Sequence, residues 1–117
     1  MDVFIDDNKE IAWYSLDPDK VVVARSGKAA LKTLRRIFRS VHEKLDTLYL
    51  DHDLGEGITG YQVLETILKE GGPIPSKVVV ISLNFVGAER IKALCKEHNI
   101  PCSRVFPDVP LIEGQSG

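Results

Sequence analysis

Short apolar runs recur along the chain, and each of them ends in polar residues. Four of these runs show little polar alternation, namely 3–5 (VFI), 21–24 (VVVA), 48–50 (LYL) and 78–82 (VVVIS). A weaker fifth run, 103–106 (SRVF), follows them. Because runs of this kind suit strands that are buried on both faces, they predict a five-stranded parallel sheet.

Segments with helical spacing of apolar residues lie between these runs. The apolar positions repeat every three or four residues in 27–44, 59–70 and 86–98, and Ser26 and Thr59 are suited to cap the first two helices. Strands that alternate with helices predict a doubly wound α/β sheet, which binds ligands at the carboxyl ends of its strands. We expect one domain over residues 1–112, followed by a frayed tail over residues 113–117.

Two connections in this pattern have no room for a full helix. Residues 8–20, after the first strand, contain a proline, and Pro107 and Pro110 interrupt the segment after the fifth strand. If the crossovers are right-handed, both segments cover the same face of the sheet. The apolar residues available to cover that face are Ile11, Trp13, Tyr14, Leu111 and Ile112. The pattern predicts either a packed lid of loop and tail or a homodimer through this thinly covered face.

The composition is that of an ordinary globular protein, with 44% hydrophobic residues, 27% charged residues and a formal net charge of −2. Without a basic excess, binding along a nucleic-acid backbone is disfavoured, whereas a nucleotide or an RNA end can still bind locally. The two cysteines, Cys95 and Cys102, are too few for a disulfide framework or a zinc site. No signal peptide is visible, and no apolar run approaches the roughly 20 residues of a membrane helix. We therefore expect a cytoplasmic protein without membrane contact.

Acidic residues follow two of the predicted strands. Asp6 and Asp7 end the first strand, and Asp51 and Asp53 follow the third. In the strand order 2-1-3-4-5 these two strand ends are neighbours, so up to four carboxylates converge at one edge. Mutual repulsion would keep some of them protonated, and a divalent cation with oxygen ligands relieves it. The pattern predicts a site for Mg²⁺, or another divalent cation, beside a phosphate; the alternative is a set of helix caps and solvated loop residues.

Other polar residues near the same edge are candidates for binding phosphate. Arg25 and Lys28 flank the end of the second strand, and Ser82 and Asn84 follow the fourth. They can supply positive charge, the amide groups of a helix start, or hydrogen-bond donors to phosphate oxygens. The alternatives are a solvated helix start for Arg25 and Lys28, and a helix-capping role for Asn84.

His52 lies between two of the acidic residues, Asp51 and Asp53. An imidazole can exchange protons near neutral pH, which makes His52 a candidate general acid or base in catalysis with Asp51 and Ser82. Strand alternation, however, directs the His52 side chain to the opposite side from both aspartates. This alternation favours a histidine that is packed in the protein.

The order of these motifs resembles a response-regulator receiver domain: an acidic pair, then DxD, then a glycine before the next helix, then ISLN. The resemblance covers nearly all of residues 1–107 and implies a flavodoxin-like (receiver-like) sheet; this chain departs from the receiver pattern in its first and last helices, which are reduced or absent. It implies that Asp6, Asp7 and Asp51 bind magnesium and that Asp51 accepts a phosphoryl group. It further implies a metal-ligating backbone carbonyl at Asp53 and a Ser82 hydroxyl that bonds the phosphoryl group.

One branch of this superfamily resembles the chain more closely than ordinary receivers do. The segments LDHDLG, TGYQVL and SLN resemble the cyclic-phosphate-processing receiver domains of bacteria and viruses. This resemblance implies action on a cyclic phosphate, such as a 2′,3′-cyclic RNA end or a cyclic nucleotide. A metal would polarise the phosphate while Asp51 attacks in line or activates water. Receivers carry Lys-Pro after the fifth strand, and Phe106 and Pro107 stand there in this chain, which does not fit ordinary phosphorelay signalling.

Two alternatives compete with this interpretation. A divergent receiver or pseudo-receiver would act as a signalling or protein-interaction module, phosphorylated on Asp51 or not at all. A Toprim-like nuclease also places a carboxylate after its first strand and DxD after a later one. It is disfavoured because Toprim domains use a glutamate where Asp6 and Asp7 stand in this chain.

Overall fold

A computed structural model describes residues 1–55 and 57–108 of the chain. Its strands are β1 (Asp2–Ile5), β2 (Val21–Ala24), β3 (Thr47–Leu50), β4 (Lys77–Val80) and β5 (Cys102–Arg104). Its helices are α1 (Gly27–Arg39), α2 (Gly60–Lys69) and α3 (Phe85–Glu97). The strand pairings are parallel, and the strand order is β2-β1-β3-β4-β5. These features confirm the predicted flavodoxin-like, receiver-like fold.

The interior strands are buried on both of their faces. Ile5, Leu50 and Val80 belong to the main core, which the sheet forms with the three helices. Phe4 and Val79, at alternate positions of their strands, belong to a smaller core on the other face. Burial on both sides explains why the strands appear in the sequence as apolar runs without polar alternation.

The second face of the sheet has a thin cover. The connection from β1 to β2 forms only a single 3₁₀ turn, Ile11–Tyr14, so the first helix is reduced as predicted. Beside this turn lies a groove of about 350 Å³, and its lining includes Trp13, Tyr14, Tyr49, Val79 and Val105. The predicted cover by Leu111 and Ile112, the predicted tail and the place of a last helix all lie outside the described residues.

Helix α1 ends before the apolar spacing predicts. The pattern indicated a helix over 27–44, but α1 ends at Arg39. The next residue, Ser40, has extended backbone angles, and its hydroxyl accepts hydrogen bonds from the backbone N–H groups of His42 and Glu43. This local turn replaces the helical hydrogen bonds, so the prediction was wrong beyond Arg39.

Candidate metal and phosphate site

Three carboxylates meet at the carboxyl ends of β1 and β3, which are neighbours in the sheet. Asp6 and Asp7 follow β1, and Asp51 follows β3; one oxygen from each lies within 4.8 Å of the others. Asp6 is fully buried, Asp51 is buried and Asp7 is exposed. The predicted meeting of the acidic pair with Asp51 is confirmed. A divalent cation prefers such a set of oxygen ligands, so this acidic cluster could hold one.

Asp53 lies outside the acidic cluster. Its side chain is 64% exposed, and its carboxylate lies 3.0 Å from Nδ1 of His52 and accepts a hydrogen bond of 3.2 Å from Nδ2 of Asn84. The prediction that up to four carboxylates converge was therefore wrong for this side chain. Because β3 ends at Leu50, strand alternation no longer sets the direction of residue 53. The implied role of the Asp53 backbone carbonyl stays a prediction.

Lys9 was not among the residues predicted from the sequence, yet its ammonium group lies in the acidic cluster. Its Nζ atom is 2.9 Å from Oδ2 of Asp6 and 3.3 Å from Oδ2 of Asp51, and 12% of its side chain is exposed. The loop after β1 turns back because Oδ1 of Asp6 accepts hydrogen bonds from the backbone N–H groups of Asn8 and Lys9. The sequence signal for this arrangement is an Asx turn that brings a lysine back over its own aspartate.

Arg25 fixes the loop that carries Lys9. Its guanidinium donates hydrogen bonds to the backbone carbonyls of Asp6, at 3.3 Å, and of Lys9. The same guanidinium lies 3.9 Å from the Glu10 carboxylate. Lys28 is exposed near the start of α1. The structure thus gives Arg25 a contact with the loop, and phosphate binding by Arg25 and Lys28 stays a prediction.

The two buried carboxylates differ in their protonation. Burial raises the pKa of Asp6, but hydrogen bonds from the Lys9 ammonium and from the backbone outweigh it, so the pKa lies below its ordinary value. Burial also raises the pKa of Asp51; the Lys9 charge opposes it and the Asp6 charge adds to it, and the pKa stays above its ordinary value. The pKa of Asp6 therefore lies below that of Asp51, so Asp51 accepts a proton more readily than Asp6.

The two polar residues after β4 have different roles: Ser82 lies at the acidic cluster, and Asn84 caps the next helix. Ser82 is fully buried, its hydroxyl accepts a hydrogen bond of 3.0 Å from the backbone N–H of Asn84, and the same hydroxyl lowers the pKa of the nearby Asp51 carboxyl. The side-chain oxygen of Asn84 accepts a hydrogen bond of 3.0 Å from the backbone N–H of Gly87 and thereby caps α3. The structure brings Ser82 to the acidic cluster and gives Asn84 the capping role that was the alternative.

His52 packs against α3. Its side chain is 10% exposed, and a Cβ atom at Gly87 would overlap the imidazole ring. The buried Nε2 atom has no hydrogen bond within the described part of the chain. The histidine is packed as expected, although β3 ends at Leu50 and the ring is placed by its contact with α3 and not by strand alternation. A role for His52 in proton transfer stays a prediction.

We expect Gly87→Ala to lower the free energy of unfolding by about 1–3 kcal/mol, because the added methyl group forces the His52 ring from its place. The loss should be smaller in a His52→Ala background, where no ring is present. Urea unfolding of the wild type, the two single variants and the double variant measures this coupling. An equal cost of Gly87→Ala in both backgrounds would contradict the packing of His52 against α3.

The comparison with protein families covers the part of the chain that contains the acidic cluster. The family model described as cyclic-phosphate processing receiver domain matches residues 1–97, which run from β1 to the end of α3. No significant match is found among curated proteins or among solved structures. No helix among the described residues has both the length and the apolar character needed to cross a membrane. The matched range includes the acidic cluster and Ser82, and the chain belongs to the cyclic-phosphate processing receiver domain family.

Proposed function

We propose that the protein is a metal-dependent enzyme that opens a cyclic phosphate, such as a 2′,3′-cyclic RNA end or a cyclic nucleotide. The observation that carries this proposal is the meeting of Asp6, Asp7 and Asp51, two of which, Asp6 and Asp51, also contact the Lys9 ammonium. When the three carboxylates are ionised, one ammonium leaves two negative charges uncompensated. A divalent cation balances that charge, and a chain with this arrangement is suited to phosphate chemistry beside it.

The donor set fits Mg²⁺ or a similar divalent cation. Asp6, Asp7 and Asp51 offer carboxylate oxygens, which such hard cations prefer, and the exposed position of Asp7 leaves the site open to solvent and ligand. When bound there, the cation supplies positive charge that polarises the phosphate. These three residues would hold it.

The remaining steps belong to side chains of this protein. The Lys9 ammonium and the Ser82 hydroxyl donate hydrogen bonds to phosphate oxygens. Asp51 takes a proton from the attacking water. A bond forms between the water oxygen and phosphorus, and one bond from phosphorus to a ribose oxygen breaks. Asp51 then returns the proton to that ribose oxygen, which leaves a phosphomonoester and a free hydroxyl group.

Hydrolysis of 2′,3′-cyclic AMP tests the proposal. We expect turnover by the wild type in Mg²⁺, its loss in EDTA and its recovery when Mg²⁺ is added back. Asp51→Asn should reduce the rate by at least about 100-fold, because the proton acceptor is removed. Asp19→Asn, which changes an exposed aspartate before β2, is the matched control and should keep full activity. Absence of turnover of both adenosine and uridine 2′,3′-cyclic phosphates by the wild type in Mg²⁺ would overturn the proposal.

A phosphorylated receiver is the second candidate function, and the position of the Ser82 hydroxyl, close enough to Asp51 to lower the pKa of that carboxyl, favours it. In this role Asp51 would accept a phosphoryl group, and Ser82 would bond one of its oxygens. Incubation with acetyl phosphate and Mg²⁺, followed by mass spectrometry, distinguishes the two candidates. A stable adduct on Asp51 without turnover of a cyclic nucleotide supports signalling.

We further propose that the protein acts in the cytoplasm and forms a homodimer through the thinly covered face of the sheet. The groove beside Trp13 and Tyr49 supports this dimer, because it leaves apolar side chains accessible on that face. For the receiver-type function, a protein partner would take the place of the phosphate-containing ligand.

A further inference from the structure

An exposed aromatic patch lies next to the acidic cluster, where α3 begins and β5 ends. Phe85, in the first turn of α3, is 65% exposed, and Phe106, just after β5, is 63% exposed. Leu83 and Val86 beside Phe85 are exposed to a similar degree. Single exposed apolar side chains are common on protein surfaces, but a cluster with two aromatic rings marks a site of interaction.

Arg104 joins the two aromatic rings. Its guanidinium carbon lies 5.8 Å from the ring centroid of Phe85 and 4.8 Å from that of Phe106. Its Nε and Nη2 atoms donate hydrogen bonds of 3.2 and 2.9 Å to the backbone carbonyl of Ser82. The guanidinium is therefore anchored between the rings. We call Phe85, Arg104 and Phe106 the aromatic platform.

The platform is continuous with the phosphate site through Ser82. The buried Ser82 hydroxyl lies near the Asp51 carboxyl, whose pKa it lowers, while the carbonyl of the same residue accepts two hydrogen bonds from Arg104. Phe85 follows Ser82 by three residues, so the two Cα atoms are at most about 11 Å apart. When a nucleotide binds with its phosphate beside Asp51, its sugar and base can extend over this distance and reach Phe85.

We propose that the aromatic platform binds the nucleobase of the ligand whose phosphate lies beside Asp51. The ligand is then a nucleotide or the end of an RNA chain, and not a phosphate without a base. Bases stack on aromatic rings, and an arginine beside those rings adds both a cation–π contact and a charge that attracts phosphate. The inference rests on the proposed function, because it takes the phosphate to lie at the acidic cluster.

The net charge of the chain is consistent with a ligand as small as a nucleotide or the end of an RNA chain. The net charge of −2 provides no extended basic surface along which a nucleic-acid backbone would bind. One arginine between two rings suits a single base at the end of a chain. Because every base has a π-face, the platform distinguishes ligands with a base from ligands without one, and it tolerates different bases.

Calorimetric titration in Mg²⁺ with two ligands tests the inference, with adenosine 3′-monophosphate as the base-bearing probe and inorganic phosphate as the base-free probe. We expect Phe85→Ala and Phe106→Ala each to weaken the binding of adenosine 3′-monophosphate about tenfold. The affinity for inorganic phosphate should not change in either variant. Phe38→Ala, which removes an aromatic ring on α1 that is 52% exposed, is the control and should change neither affinity.

The outcomes separate this inference from the proposed function. If the wild type binds both ligands equally well, or if both platform variants bind adenosine 3′-monophosphate as the wild type does, the inference is overturned while the phosphate site stands. If the wild type binds neither ligand in Mg²⁺, the proposed function fails and the inference fails with it. A protein that binds the platform without competing with adenosine 3′-monophosphate would assign the patch to protein docking and overturn the inference.

Discussion

Gly60→Ala is expected to lower the free energy of unfolding by about 3 kcal/mol or more, so that little folded protein remains. Gly60 is the first residue of α2, and its backbone N–H donates a hydrogen bond of 2.8 Å to the carbonyl of His52. A Cβ atom at Gly60 would overlap the carbonyl oxygen of Asp51 and lie 2.9 Å from its carbonyl carbon. Since backbone atoms cannot rotate away, either α2 or the Asp51 segment must move.

A matched glycine at the start of another helix provides the control for this prediction. Gly27 is the first residue of α1 and is also buried, but a Cβ atom there would overlap the side chain of Ile58. Because that side chain can change its rotamer, Gly27→Ala should cost clearly less than Gly60→Ala. Urea unfolding monitored by circular dichroism measures both variants. A Gly60→Ala protein as stable as Gly27→Ala would show that α2 does not need this close approach to Asp51.

Lys9→Met is expected to destabilise the metal-free protein by about 3 kcal/mol, because the buried carboxylates of Asp6 and Asp51 lose the ammonium that compensates them. Methionine keeps a similar length without the charge. Millimolar Mg²⁺ should recover much of this loss, since the cation then binds the acidic cluster without repulsion from the Lys9 ammonium. Binding of inorganic phosphate should weaken at the same time. We therefore expect Lys9→Met to bind Mg²⁺ more tightly and inorganic phosphate more weakly than the wild type does.

Thermal unfolding in EDTA and in Mg²⁺, together with calorimetric titration of both ligands, measures these effects. Lys32→Met, which removes an exposed lysine of α1, is the control and should leave stability and both affinities unchanged. A Lys9→Met protein that is as stable as the wild type in EDTA contradicts the charge compensation. Weaker binding of Mg²⁺ by Lys9→Met would show that Lys9 organises the loop for the cation and that charge repulsion between them is a smaller effect.

The sheet and the acidic cluster could be predicted because they follow from regular patterns. Strands buried on both faces produce apolar runs, and parallel strands bring their carboxyl ends to one edge of the sheet. Asp6 and Asp51 each follow such a run directly, so their meeting follows from the strand order alone. The reduced first helix was also visible, because residues 8–20 contain a proline and leave no room for a full helix.

The side-chain positions of Lys9 and Asp53 were harder to predict from the sequence, because each residue lies beyond the end of a strand. The position of Lys9 depends on hydrogen bonds from the loop to the Asp6 side chain and on the contact of Arg25 with the loop carbonyls. The direction of Asp53 depends on its hydrogen bond with Asn84, a residue far along the chain. Periodic patterns in a sequence do not contain this information, because side chain–backbone turns and long-range pairs follow no fixed period.

The contacts of Arg104 also could not be predicted from a periodic pattern, although this residue lies within a strand. The run 103–106 indicated a short fifth strand, and the structure places β5 at Cys102–Arg104. Nothing in that run shows that the arginine contacts Phe85, which belongs to α3. The contact exists because α3 packs beside β5 in the folded chain, so it required the structure.

The position of Lys9 in the chain decides which strands carry the charges of the acidic cluster. Its ammonium comes from the loop after β1, so the negative and positive charges of the acidic cluster all belong to segments that follow two interior strands, β1 and β3. The edge strand β5, only three residues long, supplies none of these charges. A substitution in β5 therefore changes the surface beside the acidic cluster without removing any of the charges inside it.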